Sequence, residues 1–317
     1  MRDAFIKRLT QLAERDSRVI LITGDLGFGV FDDYSRRFPQ QFLNIGVAEQ
    51  NMTGVATGLA LEGHTVFTYS IANFVFMRCL EQIRNDALYH DCNVNVVAVG
   101  AGFSYGALGI SHHATEDLAI MRSLPGLTVV SPGDDWEASE ATEAIARTPG
   151  TTYMRLDRAG APALTQSDEV FELGKARQLR DGNELTIDAT GGVLDEALRA
   201  SDELDEQGIR CRVLSIHTVK PLDRDALMDA ARDTGGIVTV EEHTIIGGLG
   251  SAVAETLLES GVIPGFFRRI GLHDRFSSVV GSQSYLRDRF DLNAAAIVRQ
   301  VRQLLAQRSA IPVRRAA

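Results

Sequence analysis

Cysteine is scarce in this sequence, and its scarcity excludes two kinds of scaffold. The three cysteines, Cys79, Cys92 and Cys211, lie far apart, and no CxxC pair occurs among the 317 residues. A disulfide framework and a zinc cluster both need closer spacing than this. We therefore expect a protein of a reducing compartment, the cytoplasm.

Long apolar runs and a basic surplus are also missing. No run approaches the roughly 20 apolar residues that span a bilayer. Charges interrupt the apolar positions of the N-terminal segment MRDAFIKRLTQLAERD, which argues against a signal peptide. A formal net charge of -10 cannot neutralise nucleic-acid phosphates or anionic headgroups over a wide surface. We expect a soluble globular protein that binds neither nucleic acids nor membranes.

What the sequence does contain is a regular alternation of short β-branched runs with longer amphipathic segments. The clearest strand patterns are VILITGD (19–25), HTVFTY (64–69), NVNVVAVG (93–100), LTVVSPGD (127–134), ELTIDAT (184–190), RCRVLSI (210–216), GIVTVEE (236–242) and FFRRIGL (266–272). Nearly continuous apolar strands separated by helices are typical of parallel sheets covered on both faces. The pattern predicts an α/β protein with two doubly wound domains.

The boundary between these domains is predicted from a change in composition. After TTYMRL the alternation breaks into AGAPALTQSDEV (159–170), which is small, polar and proline-containing. We predict a first domain over residues 1–165, a linker over 166–178 and a second domain over 179–317.

One carboxylate, Glu49, lies where a functional group is expected. It stands in NIGVAEQNMTGVATGLALEG (44–63), between an irregular segment and a helix rich in Gly, Ala and Thr. Small neighbours allow a ligand to approach closely. Alternatively, an acid in the first turn of a helix is simply favoured by the helix dipole.

Four segments in the same order resemble consecutive signature regions of the transketolase family. They are GVAEQNMTGVATGLALEG, FTYSIANFVFMRCLEQIRND (67–86), GISHHATEDLAIMRSLPGLTVVSPGD (109–134) and VEEHTIIGGLGSAVAE (240–255). The chain most resembles the separately encoded C-terminal subunits of that family. It is more distantly similar to 1-deoxyxylulose-5-phosphate synthase and to the β subunits of 2-oxo acid dehydrogenase decarboxylases. The resemblance implies a pyrimidine-binding domain, a transketolase C-terminal domain, and thiamine diphosphate at a subunit interface.

The resemblance also implies residues that bind the aminopyrimidine ring of this cofactor. Glu49 matches the glutamate that hydrogen-bonds the ring nitrogen N1′ and promotes proton removal from the thiazolium carbon. Phe74 matches an aromatic residue that stacks on the ring, while the family's other aromatic falls on Ile71. Phe76 and Tyr69 are register alternatives for stacking, or they are ordinary core aromatics.

Three further residues match family positions near the cofactor and substrate. Asp25, in TGDLG, corresponds to an acid that helps order the cofactor interface, or it only caps a turn. His112 corresponds to a histidine that faces the substrate, a role that suits a group titrating near neutrality. His113 replaces the usual glutamine, and a substrate contact is expected for it as well.

An anion contact is implied at Arg158, in the sequence MRLDR. The family has an arginine here that grips the phosphate of the acceptor, a task suited to a bidentate guanidinium. The neighbouring Arg155 and Asp157 could instead pair with each other at the surface.

Three positions depart from the family pattern. An ungapped match places a family histidine at Gly100 and a family acidic pair at Ala107 and Leu108, and all three polar groups are lost here. The donor pocket is then more apolar, which disfavours a substrate whose hydroxyls would be buried unpaired. We predict a specialised transfer of a two-carbon ketol or acyl unit rather than the housekeeping pentose-phosphate reaction.

The Gly-Asp-Gly motif that anchors the diphosphate through Mg²⁺ in such enzymes has no match in this sequence. RDGNEL (180–185) has the wrong order, and GGLGSA (247–252) opens a helix of the second domain. The resemblance therefore implies an N-terminal-type partner subunit that holds the diphosphate and Mg²⁺, in a heterotetramer built around a dimer of this chain. The alternatives are a β subunit of a 2-oxo acid decarboxylase and a non-catalytic relative. His243 and His273 are expected to serve packing or subunit contacts.

Overall fold

The computed structural model describes residues 1–158 and 169–310, which form two α/β units. The helices and strands of the first unit are α1 (Arg2–Arg15), β1 (Val19–Thr23), α2 (Asp32–Arg37), β2 (Phe42–Asn44), α3 (Glu49–Leu61), β3 (Thr65–Ile71), α4 (Ala72–Phe76), α5 (Leu80–Gln82), β4 (Val94–Val99), α6 (Asp117–Arg122), β5 (Thr128–Val130), α7 (Asp135–Arg147) and β6 (Thr152–Leu156). A π-helical segment (Ile83–Leu88) follows α5, and a 3-10 turn (Gly106–Leu108) precedes α6.

The second unit begins after the segment that the structure leaves undescribed. Its elements are β7 (Arg177–Arg180), β8 (Leu185–Thr190), α8 (Leu194–Asp205), β9 (Cys211–Ser215), β10 (Thr218–Lys220), α9 (Arg224–Asp233), β11 (Ile237–Thr244), α10 (Leu249–Glu259), β12 (Phe267–Leu272), α11 (Gln283–Arg289) and α12 (Ala294–Ala310), with a 3-10 turn (Gly191–Val193) before α8.

The first sheet has seven strands in the order β10-β5-β6-β4-β3-β1-β2. All its pairings are parallel except that of β10 with β5. Strands β1, β4 and β6 are buried along their whole length, as their continuous apolar sequences require in a sheet covered on both faces. Helices α1 and α7 pack on one face, and α3, α4 and α6 on the other.

The second sheet has the order β12-β11-β8-β9-β7, with only β7 antiparallel to its neighbour. Helices α8 and α12 cover one face and α9 and α10 the other. The prediction of two doubly wound α/β domains is confirmed. Four short strands, β2, β6, β7 and β10, were not among the predicted patterns, and β10 leaves its own domain to pair with β5 of the first sheet.

The predicted linker over 166–178 falls partly on residues 166–168, which lie outside the described part of the chain. Strand β7 begins two residues before the predicted start of the second domain, at Arg177. The domain limits stay predictions. Among the described residues, no helix combines the length and the apolar character that crossing a bilayer demands.

A buried polar network joins the two units at the carboxyl edge of the second sheet. Arg155 is fully buried, and its Nε donates to Asp117 Oδ2 at 2.9 Å while its Nη2 donates to the carbonyl of Glu242 at 2.9 Å. Asp157 is also buried and accepts a hydrogen bond from the backbone N–H of Gly192 at 2.9 Å. The suggested surface pair of Arg155 with Asp157 is therefore wrong, because each binds partners inside the domain interface.

Candidate cofactor and substrate site

The predicted site residues of the first unit gather at the carboxyl ends of β1, β3 and β4. Parallel doubly wound sheets bind ligands at this edge, because the loops that leave neighbouring strands diverge there. The turn after β1 carries Asp25, helix α4 directly follows β3 and carries Phe74, and the loop after β4 carries His112. Helix α3 adds Glu49 as its first residue.

Glu49 is a buried carboxylate with capacity for a ligand. Its side chain is 5% exposed, and Oε2 accepts from Arg78 Nη1 at 3.1 Å. A Cβ added at Gly24 would lie 3.6 Å from Glu49 Cγ, so the backbone after β1 packs closely beside the carboxylate. No hydrogen bond joins Oε1 to a described residue. The first turn of α3 favours the negative charge.

Arg78 connects Glu49 to Phe74, and the sequence analysis missed it. Its guanidinium lies 4.2 Å from the centroid of the half-buried Phe74 ring while also donating to Glu49. The flat guanidinium thus donates a hydrogen bond to the Glu49 carboxylate and packs against the face of the Phe74 ring at the same time. The aminopyrimidine ring of thiamine diphosphate is also flat and nitrogen-rich, so this pair of residues fits it. The Arg78 side chain is about half-exposed, at 49%.

The other candidates for stacking lie in different surroundings. Ile71 ends β3 and lines the cavity described below. Tyr69 also reaches that cavity, but its ring is 2% exposed and packs edge-on against Phe31 at 4.8 Å. Phe76 is fully buried in the hydrophobic core beneath the sheet. The structure therefore corrects the prediction for Phe76, since no face of its ring remains open to a cofactor.

Asp25 lies in an exposed turn directly after β1. Its backbone N–H donates to Asn44 Oδ1 at 3.0 Å, and Asn44 Nδ2 donates to Asp25 Oδ1 at 3.3 Å. A φ of 56° places it in the left-handed region, which aspartate tolerates better than most residues. The contacts tie the ends of β1 and β2 together, and the Asp25 residue is exposed.

His112 lies against the proposed ring site. Its ring centroid is 5.4 Å from that of Phe74 and 6.2 Å from that of Tyr105, and Nδ1 contacts Ser111 Oγ at 3.0 Å. Partial burial, with a smaller contribution from His113, lowers the pKa of His112 below its ordinary value. The imidazole is therefore neutral at pH 7 and can accept or donate a proton through Nε2.

His113 is buried and both of its ring nitrogens have protein partners. Nε2 lies 3.0 Å from the carbonyl oxygen of Gly106, so it must carry the proton, and Nδ1 then accepts from Ser277 Oγ at 2.5 Å. These bonds attach the loop after β4 to the second unit. The expected substrate contact of His113 is not supported, because no nitrogen remains for it.

A cavity of about 660 Å³ is lined by Ile71 and Tyr69 from the end of β3 and by Tyr105, whose ring faces His112, whereas Glu49, Phe74 and His112 are not among its lining residues. Arg2 and Arg158 line it and give it two guanidinium groups, and Ser104, Tyr105 and Gln283 contribute further polar atoms. Arg158 is exposed, with its guanidinium carbon 5.8 Å from the Tyr105 ring centroid. Arg158 was predicted from the sequence as an anion contact. Arg2 and Gln283 were not predicted, because they come from distant parts of the chain.

Of the three positions that lack the family's polar groups, Ala107 and Leu108 line the same cavity, and Gly100 packs against Tyr105, which lines it. Gly100 has a φ of 99°, and a Cβ there would lie 2.3 Å from Tyr105 Cδ2, so only glycine lets the Tyr105 ring occupy this space. Ala107 and Leu108 are exposed on the cavity wall. A phenol ring and two apolar side chains therefore stand where an imidazole and two carboxylates were expected.

Metal ligands are not gathered in the part of the chain that the structure describes, where no group of three or more His, Cys, Asp or Glu side chains could hold an ion. The glycine-rich GGLGSA opens α10, but Glu241 accepts from the N–H groups of Leu249 and Gly250 at 2.7 and 2.9 Å. The N–H groups at the start of α10 are therefore already bound by Glu241 and do not bind a phosphate. His243, fully buried beside this helix start, serves packing as predicted.

Residues 1–162 match the family model "Transketolase, pyrimidine binding domain", and residues 174–297 match "Transketolase, C-terminal domain". The chain is 39% identical over 305 residues to a 6-deoxy-6-sulfo-D-fructose transketolase subunit of a Clostridium species, covering 96% of this chain and 94% of the relative. It is 40% identical over 263 residues to one of the subunits of an apulose-4-phosphate transketolase of Phocaeicola vulgatus, covering 82% and 84%. A solved structure described as a split gene transketolase, inactive beta4 tetramer, superimposes with a TM-score of 0.86 at 37% identity and covers 96% of this chain and 97% of that one.

Proposed function

Because the chain belongs to the transketolase family, we propose that it is the C-terminal-type subunit of a split, thiamine-diphosphate-dependent transferase. It moves a two-carbon ketol or acyl unit from a carbonyl donor to an aldehyde-like acceptor. The observation that carries the proposal is the convergence of the buried Glu49 carboxylate and the Phe74 face on one flat, N–H-bearing group.

The residues of this chain would bind and activate the cofactor rather than perform the bond changes themselves. Bound thiamine diphosphate would supply the nucleophilic carbon and the electron sink that the transfer needs. Glu49 holds a proton at the ring nitrogen N1′ through Oε1 or Oε2, and Phe74 supplies the stacking face. His112, neutral at pH 7, exchanges a proton with a substrate oxygen through Nε2.

The cavity selects a substrate with an anionic end. Arg158 and Arg2 present two guanidinium groups at its wall, and such groups pair with phosphate or sulfonate oxygens through charge-assisted hydrogen bonds. The two relatives are named for a sulfo-sugar and a sugar phosphate. Gly100, Ala107 and Leu108 make the wall less polar than in the family pattern, so the substrate is a specialised one.

The complete site requires a second polypeptide. An N-terminal-type subunit holds the diphosphate and Mg²⁺, since carboxylate and phosphate oxygens suit that ion and the described residues offer no such cluster. The working assembly is a heterotetramer around a dimer of this chain. The name of the 37%-identical structure, an inactive tetramer of one subunit type, agrees with this division of labour. Three buried, unpaired thiols agree with a reducing compartment, the cytoplasm.

Reconstitution tests the proposal directly. The chain is co-expressed with an N-terminal-type subunit from the same source, and thiamine diphosphate with Mg²⁺ is titrated by circular dichroism against each subunit and against the pair. We expect saturable binding only by the pair, with ketol transfer from hydroxypyruvate to glycolaldehyde. A pair that binds no cofactor at millimolar concentration would contradict the proposal, and transfer to a lipoyl carrier instead would reassign it to the decarboxylase branch.

A further inference from the structure

Gln283, the first residue of α11, brings the second unit into the substrate cavity. It lines the cavity together with Ser104, Tyr105 and Arg158 of the first unit. The loops of the first unit supply most of the other lining residues, so Gln283 and the adjacent Gly281 and Ser282 are an insertion from another domain. Of these three, Gln283 has the side chain with the most hydrogen-bonding capacity.

Two carboxylates determine how the Gln283 amide is oriented. Its Nε2 donates to Asp157 Oδ1 at 2.8 Å and to Glu242 Oε1 at 2.9 Å, with Ser104 Oγ at 3.4 Å. Asp157 and Glu242 are both buried and can only accept hydrogen bonds when ionised. The nitrogen must therefore face them, which settles the amide orientation from the network itself.

The carbonyl end of Gln283 is consequently left for the cavity. No described residue donates a hydrogen bond to Oε1, and the side chain is only partly buried at the cavity wall. A long flexible side chain normally loses rotamer freedom when it binds a ligand. Here the two carboxylates have already restricted it, so Oε1 is a pre-oriented acceptor.

The same network places the anion contact. Ser104 Oγ donates to Asp157 Oδ1 at 2.8 Å, and the backbone N–H of Arg158 lies 3.4 Å from Ser104 Oγ. Asp157 thus connects the Gln283 amide, through Ser104, to the backbone of Arg158, and the side chains of Gln283 and Arg158 line the same cavity. A substrate that carries both a hydroxyl group and an anionic end matches these two groups.

We propose that Gln283 is a substrate-binding residue whose Oε1 accepts a hydrogen bond from a hydroxyl group of a ketose that ends in phosphate or sulfonate. It supplies a polar contact on the wall where Ala107 and Leu108 provide none, so the second unit takes part in substrate selection. This inference rests on the proposed function for the identity of the substrate class.

Gln283→Lys separates substrate binding from structure. The ammonium group can still donate to Asp157 and Glu242, so the domain contact is retained, but the acceptor is lost. Gln283→Leu removes both the donor and the acceptor of this side chain. The control is Gln207→Leu, the same substitution at an exposed glutamine of the second unit that does not line the cavity. Thermal unfolding checks that Gln283→Lys keeps the stability of the wild type.

Binding to the full chain is measured by ligand-observed NMR with fructose 6-phosphate and inorganic phosphate as probes. We expect Gln283→Lys to weaken fructose 6-phosphate binding about fivefold to tenfold, the usual effect of one lost hydrogen bond. Phosphate binding should not weaken, and Gln207→Leu should match the wild type for both probes. Equal affinities of wild type and Gln283→Lys for fructose 6-phosphate, or no binding of it by the wild type, would overturn the inference.

Turnover by the reconstituted pair separates the two proposals. Gln283→Lys should raise KM for fructose 6-phosphate as donor about fivefold, while kcat and the KM of hydroxypyruvate, which has no hydroxyl beyond the transferred unit, stay close to wild type. A uniform fall in kcat for both donors would indicate a structural role only. If the probe binds through Gln283 but no ketol transfer occurs, the proposed function fails and the contact stands.

Discussion

The carboxyl edges of the two sheets have the same layout but opposite uses. At the edge of the first sheet, Glu49 and His112 each keep a polar atom that no described residue binds, and the loops of the same edge line a cavity. At the edge of the second sheet, Glu241 closes the start of α10 and Glu242 binds the N–H of Phe103, Gln283 and Arg287.

We call the edge of the first sheet the open edge, because it is suited to binding a ligand, and the edge of the second sheet the closed edge, because its polar groups are bound within the chain. Buried polar groups are almost always paired, so a residue whose bonds are all made within the chain is a poor candidate for a ligand contact. The ring nitrogens of His113 and His243 have partners within the chain, whereas Nε2 of His112 has none among the described residues. Gln283 combines both properties: its Nε2 donates to Asp157 and Glu242, and its Oε1 accepts from no described residue.

The largest effect should follow from changing the open edge at Glu49. Glu49→Gln keeps the shape but removes the carboxylate that would share a proton with the cofactor ring, and turnover of the reconstituted pair should fall roughly 100- to 1000-fold. Thermal unfolding should change little. The control is Glu62→Gln, an exposed acid just after the same helix. Near-wild-type turnover of Glu49→Gln would show that this edge is not catalytic.

Changing the buried network that joins the two units should instead lower stability. Arg155→Met leaves Asp117 as a buried charge without its guanidinium partner, and we expect the free energy of unfolding to fall by about 3–5 kcal/mol. Urea denaturation measures this, with Arg147→Met, at an exposed ion pair, as the control that changes it by less than about 1 kcal/mol. A loss of activity at unchanged stability would contradict a structural role for Arg155.

Asp188, inside the second sheet, is one buried polar group that is not paired in this way. Both of its oxygens and the hydroxyl of its cross-strand neighbour Thr239 lack hydrogen bonds among the described residues. Burial raises the pKa of Asp188 to about 7, from an ordinary value of 3.8. Between these pH values the folded chain holds a proton that the unfolded chain has released, so stability falls as pH rises from about 4 to 7.

Replacing this carboxyl group should therefore stabilise the protein at neutral and higher pH. Asp188→Leu should raise the free energy of unfolding at pH 8 by roughly 2–4 kcal/mol and flatten its dependence on pH between 4 and 7. Urea denaturation at several pH values measures both. Asp205→Leu, at an exposed position of α8, should leave the slope intact. An unchanged slope in Asp188→Leu would mean that the carboxyl group stays charged in the fold.

The smallest effect concerns the anion contact of the open edge. Arg158→Met should raise KM for a phosphorylated aldehyde acceptor about tenfold while leaving KM for glycolaldehyde near its wild-type value. Arg36→Met, at an exposed arginine away from the cavity, is the control. Equal changes for both acceptors would place Arg158 outside the anion contact.

Much of the open edge could be predicted from the sequence because its residues are local to strand ends. Glu49 and Phe74 were identified from motifs, and both lie at the expected edge. Phe76 and His113 could not be judged in the same way. Phe76 lies two residues from Phe74 and His113 lies next to His112, but burial and hydrogen bonding depend on which side of the backbone faces the core.

The sequence by itself determined the alternation of strands and helices, the division into two α/β units, and the position of Glu49 among small residues. These are local properties, since side-chain periodicity and helix starts depend on neighbours a few residues apart. Only the tertiary structure decided that β10 joins the first sheet and that Gln283 reaches Asp157, 126 residues away. Such contacts form when the two units close on each other, and no local pattern encodes them.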